Sequence, residues 1–588
     1  AKCEYERKIF NDKNVNSRKF FNYMRRQTTV CSAIPCMKSD NGLVSTDNEK
    51  AELFSEYFTT VFIDDNGIIP DFNFNCTNSF DHFTCNVGDM IKIIKKLKVN
   101  SAPGPDLITA YFLKNIVATI ADPLCKLYNV CLDLGYVPDD WKIAHIIPIY
   151  KKSDAQLACN YRPVSLTSIL CKVLERIVRK QMLAYLFDND IIPKTQHGFI
   201  SKKSTVTNLI ECLDKWSLNF DKGIQTDIIY LDYSKCFDTV VHSKLLFKLS
   251  KYGFNGSAYS WIESFLTGRK QCVKVGSSLS SCKDVISGVP QGTVLGPVLF
   301  LCFSADITKI IASTNLSMYA DDTKVFKGIN DISDCNLLQS DLNNIFKWAT
   351  EWQLKLNPDK TKHLRIGRNN VEFVYKIDGK DIERVNSICD VGIYIQSNLK
   401  FTVHCNHLIK KAHFIIKNIF DTFKGHTPEF YARLYTIYVR PILESSSPVW
   451  SPLQKGNIDS IESVQRYFTR RLPGLSHMSY FERLNYLKLD TLESRRIKAD
   501  LILFYKAVNN LTNLNVNESY QFIHRHRGHS KTLYHFYSRT DKRKHFFSNR
   551  IVNLWNSLPE GLISCKSLSE FKKRLNDINI TGRGSIYC

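Results

Sequence analysis

Three aspartates carry the most specific chemistry available to this sequence. Ile228-Ile-Tyr-Leu-Asp232 is an apolar run that ends in a carboxylate. Ser317-Met-Tyr-Ala-Asp321-Asp322-Thr-Lys-Val-Phe326 places two adjacent acids at a tight turn between two further strand-like runs. A buried aspartate without a partner is costly, so a charge at the end of such a run points to a cation. Two like charges side by side repel unless a metal or a proton sits between them. A hairpin tip beside a strand end brings all three carboxylates together. Oxygen ligands of that number suit Mg²⁺, which keeps some water and takes its other ligands from substrate phosphates. A pair of such ions stabilises the attacking and leaving oxygens of phosphoryl transfer. Taken alone, Asp321-Asp322 also reads as a solvated turn, because aspartate is a common turn residue.

The elements that must position these acids are mixed. Helical patterns alternate with short β runs at Ala144 to Ile149 and Asp227 to Leu231, which argues for an α+β architecture rather than a regular parallel sheet. Leu337, Leu338, Leu342, Ile345, Phe346, Trp348, Ala349 and Trp352 recur at helical spacing between Leu337 and Leu354. Residues 1–95 read as an entry segment, basic at first (Arg18, Arg25, Arg26) and amphipathic around Ala51 to Phe62. The turn cluster Asn100-Ser-Ala-Pro-Gly-Pro-Asp106 closes it. Beyond about residue 400 the pattern is helical and basic, with Arg466, Arg470, Arg471, Arg495, Arg496 and His524-Arg-His-Arg527. Its rings at Trp450, Tyr467 and Trp555 are available for stacking on bases. Core packing is the ordinary fate of each. No internal repeat or low-complexity linker is present.

The 588 residues carry 79 Lys and Arg against 57 Asp and Glu, a formal net charge of +22. An excess spread along the whole chain favours a polyanionic partner, because neutralised phosphates release counterions. Nucleic acid fits this better than an acidic membrane surface. Nineteen cysteines, an odd number without any C-x-x-C, fit free thiols in a reducing interior, nucleus or cytoplasm. Cys31 and Cys36 are isolated. His404-Cys405-Asn406-His407 is expected to form part of a helix surface rather than a zinc site. No signal peptide is visible, and the longest apolar run, Val294 to Phe303, is too short to span a bilayer. The start at Ala1 suggests a fragment of a longer product.

Taken in order, several motifs resemble the reverse transcriptases of non-long-terminal-repeat retrotransposons, especially jockey-like and CR-like elements. They begin with Ser101-Ala-Pro-Gly-Pro-Asp106, Ile147-Pro-Ile-Tyr-Lys-Lys152, Asn160-Tyr-Arg-Pro-Val-Ser-Leu-Thr167 and Gln196-His-Gly-Phe199. Leu231-Asp232-Tyr-Ser-Lys-Cys-Phe-Asp238, Ser287-Gly-Val-Pro-Gln-Gly-Thr-Val-Leu-Gly-Pro297, Tyr319-Ala-Asp-Asp322 and Leu356-Asn-Pro-Asp-Lys-Thr361 follow. The similarity runs from about Asn100 to Arg368 and more weakly to about Phe571.

That resemblance implies a right-hand polymerase of fingers, palm and thumb, with a mostly helical basic C-terminal extension. Expected boundaries are 1–95 for the connecting segment, 96–395 for fingers and palm, 396–480 for a thumb-like region and 481–588 for the extension. It implies that Asp232, Asp321 and Asp322 hold two Mg²⁺ ions, or Mn²⁺ in their place, with the Tyr233 carbonyl as an additional ligand. Phe237 falls at the steric gate that collides with a ribose 2′-hydroxyl. Gln291 and Gly292 fall in a loop where a missing side chain lets backbone approach the nascent base pair. Arg162 and Lys203 fall at basic positions that grip the incoming triphosphate, and Lys360 is placed to protonate the departing pyrophosphate. Ile200, Cys236, Val241 and Leu107 depart from the usual pattern without touching the carboxylates. The expected partners are an RNA template, a DNA primer or target, and dNTPs, without a membrane. Nothing resembles the endonuclease that such proteins carry, so that activity is expected from a missing N-terminal region or in trans. An RNA-dependent RNA polymerase and a decayed or repurposed nucleic-acid-binding copy are the competing readings.

Overall fold

The computed structural model describes residues 34–40, 42–74, 76–367, 371–514, 520–523, 529–581 and 585–587, with 4–6, 20, 23 and 24 besides. Arg18, Arg25, Arg26, Cys31 and His524 to Arg527 lie outside the described residues.

Two sheets organise the chain. The first is built on β1 (Ile143–Tyr150) and β2 (Tyr161–Leu166), which pair antiparallel, with β4 (Lys270–Val275) parallel to β1 on its other side. Helix α1 (Asp47–Thr59), started by a Thr46–Glu49 capping box, lays Phe54 and Phe58 on this sheet against Ala144, Ile146 and Val273. The second sheet has β3 (Gln225–Leu231) at its centre. Antiparallel neighbours β6 (Asp322–Ile329) and β7 (Lys362–Ile366) flank it. Strand β5 (Asn315–Tyr319) lies outside β6, and β8 (Glu383–Val385) runs parallel to β7.

Alternation along β3 divides the hydrophobic material between two cores. Ile229 and Leu231 face one core and Ile228 the other, and Val325 and Phe326 of β6 divide in the same way. The first core packs α2 (Ile169–Asp188), α4 (His242–Lys251), α5 (Gly296–Ser304) and α6 (Ile332–Glu351) under the sheet. Asp331 caps α6 by accepting from the Ser333 and Asp334 N–H groups, and Leu338, Leu342, Ile345 and Trp348 form its buried stripe. Leu337 is exposed, and the buried Trp352 and Leu354 follow the helix rather than continue it.

On the other face lies α3 (Thr205–Lys222), which buries Leu209, Leu213, Trp216 and Phe220. The same core continues through α7 (Thr402–Thr422), α8 (Lys455–Arg470), α9 (Leu492–Val508), α10 (Phe547–Asn556) and α11 (Leu568–Asn576). The region beyond residue 400 therefore has no core separate from the sheet. Trp450 and Trp555 are fully buried in this core, which removes them as stacking surfaces, whereas Tyr467 is exposed. His404 and Cys405 do lie on a helix, but on its buried face rather than its surface, because that face of α7 packs toward Trp450. Not all thiols are free. Cys272 and Cys282 form a disulfide across the turn that follows β4. No helix among the described residues is long and apolar enough to cross a membrane.

One buried ion pair ties three elements of the first core together. Lys248 of α4 donates to Asp306 at 2.6 Å and to the Phe303 carbonyl at 2.6 Å. Its ammonium lies 3.6 Å from the Trp352 ring centroid, and Trp348 Nε1 donates to the same Asp306 at 2.8 Å. Burial pulls the Lys248 pKa down to about 8, with Asp306 acting against that shift. Lys248→Ala leaves Asp306 buried without its counter-ion. Urea unfolding is expected to show a loss of about 3–5 kcal/mol, and a loss below about 1 kcal/mol would contradict this account of the pair.

Candidate active site

The turn between β5 and β6 is as tight as a hairpin allows. Tyr319 pairs with Asp322, leaving Ala320 and Asp321 as the two turn residues, and Ala320 adopts the left-handed region at φ 59°. A non-glycine residue there is unfavourable unless its surroundings hold it. Gln196 supplies the hold. Its buried Oε1 accepts from the Ala320 N–H at 2.9 Å and from the Gly198 N–H at 2.7 Å, and its Nε2 donates to the Ala320 carbonyl at 3.3 Å. The backbone beside it runs along β5, with Met318 N donating to Thr195 O at 3.0 Å and His197 N to Met318 O at 2.9 Å. Gly198 is required by this approach, since a Cβ there would lie 2.3 Å from Ala320 N.

Asp232 follows the last residue of β3. The register that sets Thr323 opposite Leu231 continues to set Asp322 opposite Asp232. A second turn supports Asp232 from the side of β7. Asn357 N donates to the Asp232 carbonyl at 2.8 Å, and Ser234 N donates to Lys355 O at 2.8 Å. Lys360, on that turn and largely exposed, places Nζ 3.8 Å from Asp232 Oδ2. Tyr233 bridges to Leu356 in the same turn, with its ring in the first core and its hydroxyl buried without a partner.

The three carboxylates lie on one cleft of about 520 Å³. Burial raises the Asp232 pKa, Lys360 and Lys151 oppose that shift, and Asp321 adds to it. Asp322 keeps a solvent-facing edge, yet its desolvation and the neighbouring Asp321 push its pKa up to about 6. Asp322 also neighbours Lys324, which is buried against Asp390 at 2.6 Å. Cys236 Sγ donates to Asp321 Oδ2 at 3.5 Å. Among the described residues, no three acidic, histidine or cysteine side chains converge closely enough to form a ready metal cage. The donor set nonetheless suits a hard cation. It consists of oxygens on a wall of mutually repelling carboxylates, open to water and phosphate for the remaining ligands.

The other expected residues fall in two groups. Arg162 of β2, Phe237, Gln291 and Lys360 line the cleft with the acids. Phe237 is half-buried and stacks on Phe300 at 4.4 Å between centroids. Gln291 donates from Nε2 to Asp238 at 2.8 Å, and its carbonyl accepts from Ser165 N at 2.8 Å. Gly292 is also needed for a contact within the protein. At φ 112° a Cβ would lie 2.6 Å from Ser165 O, so its missing side chain lets the loop close on β2. Lys203 is not brought to the cleft. Its ammonium donates to the carbonyls of Lys194 and of Gln196, the latter at 3.0 Å, and lines a separate cavity behind the Gln196 loop.

Four contributors went unassigned in the sequence. Lys151 lines the cleft beside Arg162 and Asp232, and its motif could have named it. Asp238, whose pKa burial pushes up to about 6, fixes Gln291. Fully buried Glu175 accepts from Val294 N and Leu295 N at 2.6 and 3.0 Å, anchoring the loop at the start of α5. Gln196 opens the Gln196-His-Gly-Phe199 motif, but nothing in that motif names its partner far along the chain.

With this geometry in view, residues 149–401 match the family of reverse transcriptases (RNA-dependent DNA polymerases). This stretch and its flanks are similar to the reverse transcriptases of jockey-like, non-long-terminal-repeat elements. It is 26% identical over 412 residues to the probable RNA-directed DNA polymerase from transposon BS of Drosophila melanogaster, covering 68% of this chain and 45% of that protein. It is 29% identical over 327 residues to the RNA-directed DNA polymerase from mobile element jockey of the same fly, covering 54% and 36%. The jockey protein of Drosophila funebris is 30% identical over 328 residues, again covering 54% and 36%. The chain thus spans less than half the length of these relatives.

Gln196→Ala removes the acceptor for two buried N–H groups at the turn. Each unsatisfied donor costs about 1–3 kcal/mol. Urea unfolding should therefore report a loss of about 2–5 kcal/mol, and unchanged stability would show that the turn holds itself.

Proposed function

We propose that this chain is an RNA-directed DNA polymerase that joins deoxynucleotides to a primer 3′-hydroxyl on an RNA template. The observation that carries this reading is the meeting of Asp232, Asp321 and Asp322 on one cleft that Lys151 and Arg162 also line. In a right-hand description, the sheet around β3 is the palm, and the sheet around β1 with its helices is the fingers. Residues 396–480 form the thumb-like region and 481–588 the extension.

The three aspartates and the Tyr233 carbonyl would hold two Mg²⁺ ions, or Mn²⁺ in their place. Bound there, the metal neutralises charge on the attacking and leaving oxygens. The primer 3′-hydroxyl gives its proton to solvent as its oxygen attacks the α-phosphorus, the bond to the bridging oxygen breaks, and pyrophosphate leaves. Arg162 suits phosphate oxygens by its planar fork, and Lys151 adds a second cation beside it. Lys203, engaged with backbone carbonyls, reaches the triphosphate only after giving up those bonds. Lys360 carries the proton for the departing pyrophosphate. Phe237, braced by Phe300, is rigid enough to collide with a 2′-hydroxyl. Gln291, held by Asp238, forms the floor beside it. Most of the acceleration comes from positioning and from charge stabilisation. A nicked target would be supplied by a further region of the protein or in trans, and the site of action would be nucleus or cytoplasm.

The decisive measurement is primer extension on poly(rA)–oligo(dT) with dTTP and Mg²⁺. Extension by the chain and its loss in Asp321→Ala/Asp322→Ala support the reading. A folded chain that binds RNA but does not extend overturns it in favour of a decayed copy. Replacing Phe237 with Val should raise ribonucleotide incorporation by at least about ten-fold. Unchanged discrimination would remove Phe237 as the gate, and free ribonucleotide use by the unaltered chain would point to an RNA polymerase.

A further inference from the structure

The cavity behind the Gln196 loop takes no part in this chemistry. It measures about 930 Å³ and lies between α3, β5 and the loop at residues 194–203 on one side and the C-terminal region on the other. Lys194, Lys202, Lys203, Lys215 and Lys531 line it. Its two acids are already engaged, Asp214 with Arg543 at 2.7 Å and Glu211 with His197 at 3.1 Å. Lys194, Lys202 and Lys215 are exposed, so the walls present cations to solvent.

The two walls are fixed relative to each other. Asn513 N and Thr512 Oγ1 both donate to the Lys202 carbonyl at 3.0 Å. Arg539 N and Thr540 N donate to Asp221 of α3 at 3.1 and 2.7 Å. The cavity is therefore a built feature of the fold.

The segments that contribute Phe522 and Lys531 to its lining also carry exposed aromatic rings. Phe522 lines the cavity and lies on β9 (Phe522–Ile523), which pairs with β10 (Thr532–Leu533). Directly after β10 the chain presents Tyr534, Phe536 and Tyr537 to solvent, Tyr537 at 85% exposure. Tyr534 and Phe536 meet edge to face at 5.1 Å. This segment is held at one end by β10 and at the other by Asp221, so its rings stand on an anchored strip. Lysines along a groove, with exposed rings on the strip of chain that continues from Lys531, match the chemistry of a single strand, whose phosphates track the cations while its bases stack. A duplex would leave the rings without bases, and an acidic peptide would leave them without a stacking partner.

We infer that this groove is a second nucleic-acid site, specific for single strands and separate from the catalytic cleft. Lys194, Lys202, Lys215 and Lys531 contact phosphates, and Tyr534, Phe536 and Tyr537 stack on bases. The inference shares with the proposed function only the class of ligand, and its test reads binding rather than synthesis.

The test uses the full chain, fluorescein-labelled oligo(U) and oligo(dT), and anisotropy across a salt series. Tyr534→Ala/Tyr537→Ala and Lys194→Glu/Lys531→Glu are each expected to weaken binding by about ten-fold. The lysine pair should also flatten the salt dependence, by about 0.7 in log–log slope for each phosphate left without its cation. Photocrosslinking with 4-thiouridine in the oligonucleotide should mark the peptide containing Tyr534 to Tyr537. The two oligonucleotides identify whether RNA or DNA is preferred, and weaker binding of either in both variants supports the site. Unchanged affinity in variants with unaltered melting curves, or crosslinks confined to the cleft, would overturn it. Equal binding of poly-glutamate, abolished in the same variants, would overturn it in favour of an acidic protein. Extension on a short hairpin template should survive both pairs of substitutions. If the chain extends no primer yet these variants still bind more weakly, the polymerase reading fails and this one stands.

Discussion

The structure depends on a repulsion that packing holds in place. Asp232 and Asp322 lie at the adjoining ends of β3 and β6, with Asp321 one residue away at the turn. Separate chains of solvent-exposed residues would let these carboxylates drift apart. Here they cannot, because β3 is buried on both faces and β6 beside it contributes to both cores. Burial raises the pKa of both Asp232 and Asp322, and the neighbouring Asp321 adds to each rise. A preorganised anionic wall of this kind suits a hard cation.

The rest of the cleft is fixed by contacts of the same type, in which one polar side chain satisfies backbone from a distant segment. Gln196 holds the turn, Asp238 holds Gln291, and Glu175 holds the start of α5. Each sits where an apolar residue would leave N–H or amide groups unpaired in a dry environment, so each position has little freedom to change. The C-terminal helices belong to the same unit. They complete the core on the second face of the sheet, where Phe571 stacks on Tyr505 and Trp555 meets Phe504. Removing them would expose apolar surface on the back of the strands that carry the acids.

What was legible in the sequence follows from this arrangement. The carboxylates, the strand ending at Asp232, and the helical stripe through Leu338, Leu342 and Ile345 were readable because each is set by local periodicity and local charge. Arg162, Phe237 and Gln291 came into view through their motifs. Contacts between distant segments were not readable. Nothing around Gln196 announces the Ala320 turn, and nothing around Gly292 announces its approach to Ser165 of β2. Lys203 looks like a free cation until its two carbonyl partners are seen. The pairing of Cys272 with Cys282 had no C-x-x-C spacing to mark it. Trp555 and Tyr537 are both aromatic residues in a basic region, and only the fold separates the core ring from the solvent-facing one.

The Gln196 loop gives these observations a common geometry. Its side chain grips the Ala320–Asp321 turn, while its own carbonyl accepts from Lys203 in the lysine-lined cavity. The front and back of the sheet edge therefore share one wall, and Gly198 keeps that wall thin by allowing the loop to touch Ala320. A wall of this thickness cannot be rebuilt from one side alone. A bulkier residue facing the cleft displaces the loop that lines the cavity, and a change at Lys203 alters the carbonyl environment of the residue holding the turn. The close approach that makes Ala320 tenable also explains why the positive cavity lies where it does. The loop that must bend around Gly198 to reach the turn carries Lys194, Lys202 and Lys203 on its outer side.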